Sequence, residues 1–300
     1  MNPTQREPIV SRRYLIPFIL ITSLFAMWGF ANDITNPMVA AFQTVMEISA
    51  TEASMVQFAF YGGYATMAIP AALFIRRYSY KSGILLGLAL YAVGAFLFIP
   101  AASCQKFSFF CISLYVLTFG LAFLETTANP LILSLGSKET STRRLNFSQI
   151  FNPVGSLLGM SVASFIVLPN LLSDARNEAG EQIFSTLDTA EKASIRLHDL
   201  AVIRDPYVAI GLVVLLMLIV IACVKIPASQ GSDGETGRSA ASTLRNLWHN
   251  REYRFGVIAQ MFYVAAQIMV WTFIIQYADR LGINKAVAQR FNIAAMILFL

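Results

Sequence analysis

Seven apolar runs, each long enough to cross a bilayer, constrain this chain more than any other feature. They cover roughly residues 14–42, 53–75, 83–102, 107–135, 147–168, 207–226 and 255–277. A hydrocarbon core of about 30 Å is crossed by roughly 20 helical residues. Inside that core the backbone has no water to bond, so runs of this kind are helices. The charged residues lie between the runs and make up only 13% of the chain, against about 25% in a soluble domain. The reading is an all-α polytopic membrane protein.

The first run is read as a retained transmembrane helix. It follows eleven mostly polar residues and the pair Arg12-Arg13, and it continues past Trp28 and Phe30 to about Ala41. That is longer than the core of a signal peptide, and no small-residue cleavage site follows it. An eighth run begins near Phe291 and stops at Leu300, too short to span. The expectation is a truncated chain with seven complete transmembrane helices and part of an eighth, a fragment of something longer.

Lysine and arginine give an orientation. Arg12, Arg13, Arg76, Arg77, Lys81, Lys138, Arg143, Arg144, Lys225, Arg238, Arg245, Arg251 and Arg254 fall on one side, and the opposite short loops hold only Lys106. The positive-inside rule then places the N-terminus in the cytoplasm of a cell whose inner membrane holds the chain. The net charge of +5 is spent on this asymmetry and forms no basic stripe, which argues against a nucleic-acid partner. Residues 169–205 form an external loop in which TLDTAEKASIRLHDL reads as a short amphipathic surface helix, capped by Asp188 or Thr189. Residues 1–226 are expected to form an N-terminal six-helix bundle, 227–252 a cytoplasmic linker rich in Gly and Ser, and 253–300 the start of a C-terminal bundle.

The polar residues inside the spans carry the functional reading. In GLAFLETTANPLIL, Glu125 sits in oil four residues before Asn129, on the same helix face. An acidic residue at mid-helix costs about 2.5–3.5 kcal/mol on insertion scales, so it tends to face a bundle interior or a wet cavity. Burial disfavours its charged form, and a carboxyl that is neutral in one state and ionised in another suits proton coupling. A structural glutamate that never titrates is the plainer alternative. Span one repeats the pattern in WGFANDITNPM, with Asn32, Asp33 and Asn36, and span five in RLNFSQIFNPVGSLLG, with Ser148, Gln149 and Asn152. Three Asn-Pro pairs at 36–37, 129–130 and 152–153 point to a shared polar cavity, because proline in a span frees a carbonyl that polar neighbours must satisfy. In span seven Gln260 and Gln267 share a face with Trp271 one turn on; helix–helix bonding is the other reading of those amides.

Amides that donate and accept, beside aromatic faces, suit a neutral polyhydroxylated ligand. A phosphorylated substrate would call for intramembrane Arg or Lys, which the spans lack; peptides and drugs are the other ligand classes that the residues leave open. Gly62, Gly63, Gly83, Gly87 and Gly94 are read as close-packing positions. The three cysteines and two histidines have no metal-ligand spacing, so neither a metal site nor a cofactor is expected. No nucleophile–base arrangement suggests an enzyme.

The segments LETTANP, RLNFSQIFNPVG, FAFYGGY, RRYSYKSGILLGLALYAVGA and AQMFYVAAQIMVWTFIIQYA together resemble the fucose–proton symporter family of the major facilitator superfamily, from about Arg12 to the end. The superfamily's loop between helices two and three is degenerate here, as FIRRYSYKSG. The resemblance implies the major facilitator fold: two six-helix halves, alternating access around a central sugar site, and a monomer when full length. The family's essential helix-four glutamate falls on Glu125, its sugar-facing helix-five positions on Gln149 and Asn152, and its helix-one aspartate on Asn36, with Asp33 just under a turn earlier. Coupling then runs through Asp33 in that aspartate's place, through Glu125 alone, or through another ion such as sodium. The expected function is import of a monosaccharide, fucose- or hexose-like, by proton symport. The proton-coupling residues are Glu125 and Asp33, and the sugar contacts Asn32, Asn36, Asn129, Gln149, Asn152, Gln267 and Trp271. A sodium-coupled hexose carrier and a non-transporting membrane sugar sensor are the alternatives.

Overall fold

A computed structural model describes residues 9–177, 180, 182–226 and 240–299. Among them are seven helices of membrane-spanning length and composition: α1 (Arg12–Val45), α2 (Ala50–Arg77), α3 (Tyr80–Cys104), α4 (Phe107–Ser134), α5 (Ser141–Asn170), α6 (Thr189–Cys223) and α7 (Arg251–Arg280). A further helix, labelled α8, runs Lys285–Phe299. Several starts are written in the sequence as caps, which satisfy backbone donors that a helix leaves unpaired. Ser49 and Glu52 form a capping box at the start of α2, Ser79 caps α3, Asp188 caps α6 and Asn250 caps α7.

The core lies among helices α1 to α6, with α2 contributing Ala53, Val56 and Phe60, and several of its helices meet backbone to backbone. A side chain on Gly155 would collide with the carbonyl of Ala26, and one on Gly94 with the backbone of Leu117. These glycines set the α1–α5 and α3–α4 separations, as small residues do where lipid supplies no hydrophobic drive for association. Gly62 differs from its neighbour Gly63: its nearest contact is an ordinary 3.7 Å to Tyr115.

Three expectations change. The amphipathic stretch before span six is not a separate surface helix, because the helix that Asp188 starts runs unbroken for 35 residues into the membrane. Pro206 lies within it. Polar neighbours can satisfy the carbonyl that such a proline frees. Residues 227–239 of the expected linker lie outside the described residues, and from Ala240 to His249 the chain is helical rather than loop. Finally, α8 starts at Lys285, six residues before the apolar run, because the Asn284 side chain accepts the N–H of Ala286 at 2.8 Å.

Arg144 is fully buried rather than lying at the surface with its basic neighbours. Its guanidinium donates to the carbonyls of Ile132, Leu133 and Ser137 at 3.2, 2.9 and 2.9 Å, to Ile9 O at 3.3 Å and to Thr140 Oγ1 at 2.6 Å. Carbonyls that the end of α4 would leave unpaired are met here by one side chain. At the opposite end, Glu47 takes a left-handed φ of 51° and binds Lys192 and Arg196 at 2.6 and 3.0 Å, fastening the end of α1 to the start of α6.

Candidate functional site

The polar residues of α1 converge because Asn32, Asp33 and Asn36 lie within little more than one helical turn. Asp33 is 3% exposed. The amide of Asn36 donates to Asp33 Oδ1 at 3.1 Å, and Gln57 of α2 donates to Asn36 Oδ1 at 3.0 Å. Each amide thus orients the next, and the carboxyl ends a three-residue relay across two helices.

This relay borders a cavity of about 200 Å³. Asn32, Asp33 and Asn36 line it from α1, Tyr61 from α2, Asn152 and Ser156 from α5, Gln267 and Trp271 from α7, and Met296 from α8. It is smaller than the roughly 300–1,000 Å³ of pockets that hold drug-sized ligands, a scale suited to one sugar ring. Asn32 Oδ1 is buried there with no protein partner. A buried acceptor left unpaired costs about 1–3 kcal/mol, which a ligand hydroxyl would recover.

Glu125 is elsewhere. It lines a second cavity of about 410 Å³ with Tyr64, Ala68, Thr126, Asn129 and Pro130. The Asn129 amide donates to the backbone carbonyl of Glu125 at 3.2 Å, and its oxygen is buried without a protein partner, as is the Tyr64 hydroxyl. Tyr64 in this cavity stacks on Tyr61 of the first, with ring centroids 6.4 Å apart. A pair of tyrosines on α2 therefore separates the two carboxyl groups.

Of the nine residues singled out from the sequence, six line the first cavity: Asn32, Asp33, Asn36, Asn152, Gln267 and Trp271. Glu125 and Asn129 line the second. Gln149 lines neither and is exposed. Its neighbour Ser148 is buried against α1, 2.9 Å from Thr22 Oγ1, and one residue further along the helix turns Gln149 away from that interface by about 100°. Tyr61, Tyr64 and Ser156 escaped the sequence reading. Ser156 lies four residues after Asn152, so the helical period contained that signal; nothing in an aromatic-rich span marked the two tyrosines.

Comparison with known proteins follows the same lines. Residues 19–300 match the model of the Major Facilitator Superfamily. The chain is 64% identical to the L-fucose-proton symporter of Haemophilus influenzae over 293 residues, 97% of this chain and 68% of that one. It is 35% identical to the L-fucose-proton symporter of Escherichia coli over 295 residues, 96% and 66% of the two chains. Among solved structures, a Major Facilitator Superfamily transporter, FucP, in the outward conformation superposes with a TM-score of 0.76 at 32% identity, covering 96% of this chain and 69% of that one. The chain thus spans about two thirds of the length of these relatives. It belongs to the Major Facilitator Superfamily, as a close homologue of the L-fucose-proton symporters.

Proposed function

We propose that this chain is the sugar-binding core of a secondary active transporter that imports L-fucose, or a monosaccharide close to it, by proton symport with alternating access. One observation carries the reading: a sugar-sized cavity lined by a carboxyl, amides and a tryptophan drawn from both α1–α6 and α7. The protein is a carrier and not an enzyme, as its superfamily membership implies. Asn32, Asn36, Asn152 and Gln267 bond the sugar hydroxyls, and Trp271 packs on the ring's C–H face. Glu125, with Asn129 beside it, carries the proton, and Asp33 links proton occupancy to the sugar cavity. Gln149 has no contact role in this geometry. One charge moving inward across 100 mV gains about 2.3 kcal/mol, enough for a roughly 50-fold sugar gradient. The carrier works as a monomer in the inner membrane with its N-terminus in the cytoplasm.

The test uses the full-length parent chain in lightly buffered vesicles, with single monosaccharides added while external pH is followed. L-Fucose should alkalinise the medium, and Glu125→Gln should abolish that alkalinisation. Uptake that requires sodium and leaves pH unchanged would overturn the proton role of Glu125. Binding without accumulation would make the protein a sensor rather than a carrier.

A further inference from the structure

Polar contacts join α7 and α8 to the helices before them at one end, where α1 and α7 finish and α8 begins. Lys285, the first residue of α8, is 3% exposed. Its ammonium donates to Asp174 Oδ1 at 2.7 Å and to Thr44 Oγ1 at 2.8 Å. Asp174 sits in a short turn after α5, and that turn is held by Asp199 of α6. The buried Asp199 carboxylate accepts the N–H of Leu172 at 3.0 Å and of Ser173 at 2.9 Å. A second pair, Arg176 with Asp279 of α7 at 2.6 Å, lies in the same junction, as does a bond from Ser164 Oγ to Ala286 O at 3.2 Å. Toward the opposite end, the side chains of α7 from 251 to 263 are exposed.

We infer that Asp174 and Lys285 form the latch of the external gate, an ion pair made when the two halves close over the sugar cavity and broken when they part. The inference rests on the carrier reading above and adds the residues that set which side is closed. The physical reason is the burial of the pair. A buried ion pair gains Coulomb energy but loses the hydration of both ions, and the two terms nearly offset. Such a contact fixes the register of closure without making closure irreversible. A hydrophobic seam of the same area would bias the halves strongly to one state. Asp199 is the positioning residue: with its two backbone donors it holds the Asp174 turn where Lys285 arrives. The side follows from the basic loops, which lie at the other end of the spans.

The test places one thiol beneath the latch in the full-length chain: Ile268→Cys, on the wall of the Asp33 cavity, with Cys104→Ser, Cys111→Ala and Cys223→Ser. Labelling by a membrane-impermeant maleimide added outside is normalised to labelling after denaturation. Asp174→Asn and Lys285→Gln should each raise outside labelling roughly tenfold or more. Lys285→Arg, which keeps the charge, should leave it low, and the exchange Asp174→Lys with Lys285→Asp should bring it back down. Unchanged labelling in the single variants, or an exchange as open as they are, would overturn the latch. Fucose uptake, measured in parallel vesicles of the parent chain with its native Ile268, separates the two proposals. Labelling that tracks the charges without any uptake would leave the latch standing and fell the carrier reading; intact uptake with indifferent labelling would do the reverse.

Discussion

Asp33 and Asn36 are three residues apart on α1 and joined by a hydrogen bond of 3.1 Å, which makes the pair a defined unit. The family resemblance puts its helix-one aspartate at Asn36, so here the carboxyl, Asp33, lies just under one turn earlier, with an amide in the aspartate's place. If the chemistry needs one carboxyl and one amide in this cavity, and not a particular order, the exchange should be partly reversible. Asp33→Asn is expected to lower fucose uptake about tenfold or more, because it removes a charge-assisted bond of roughly 1.5–3 kcal/mol. Asn36→Asp alone crowds two carboxyls into one buried relay and should fare no better. The double variant Asp33→Asn/Asn36→Asp should recover activity above either single one, measured as initial uptake of labelled sugar. Equal loss in all three would mean that Asp33 acts from its own position and not as half of a pair.

The helices differ in how closely they tolerate one another, and the glycines show where. Gly155 faces the backbone of Ala26 with no space for a methyl group, whereas Gly62 has an ordinary contact and room to spare. Gly155→Ala should therefore force α1 and α5 apart and cost about 1–3 kcal/mol as an overpacked contact. Gly62→Ala should change stability little. Thermal unfolding in detergent distinguishes them: a clear fall in Tm for the first, none for the second. Both glycines sit in apolar spans, and of the two only Gly62 was marked as a close-packing position by the sequence. The difference arises from what lies across the helix interface, which no local pattern encodes. The same limit explains Gln149, whose type and spacing matched its neighbours on α5 while its direction from the axis did not.

For the whole molecule, the distribution of charge makes a claim about sides that can be measured directly. With the N-terminus cytoplasmic, Thr142→Cys, exposed in the first turn of α5, should react with an impermeant maleimide only in inside-out vesicles. Ser185→Cys, exposed in the loop before α6, should react only in right-side-out ones. The opposite pattern would invert the topology and move the latch to the cytoplasmic face.

The number of spans, their approximate limits and the all-helical class were legible in the sequence, because a bilayer demands about 20 apolar residues per crossing and a backbone bonded within itself. The polar positions were legible for the same reason: Asp33, Glu125 and the asparagines stand out against oil, where each needs a compensating surround. Their grouping was not. That Glu125 and Asn129 share one cavity while Asp33 joins Asn152 and Trp271 in another depends on how α2 and α7 pack beside α1 and α4. The burial of Arg144 among helix-end carbonyls and the meeting of Lys285 with Asp174 likewise join residues far apart along the chain. Hydrophobic periodicity is a local quantity and fixes what each segment is; which segments touch is settled by surface shape, by the glycines that let backbones approach, and by the buried polar groups that must find partners in one another.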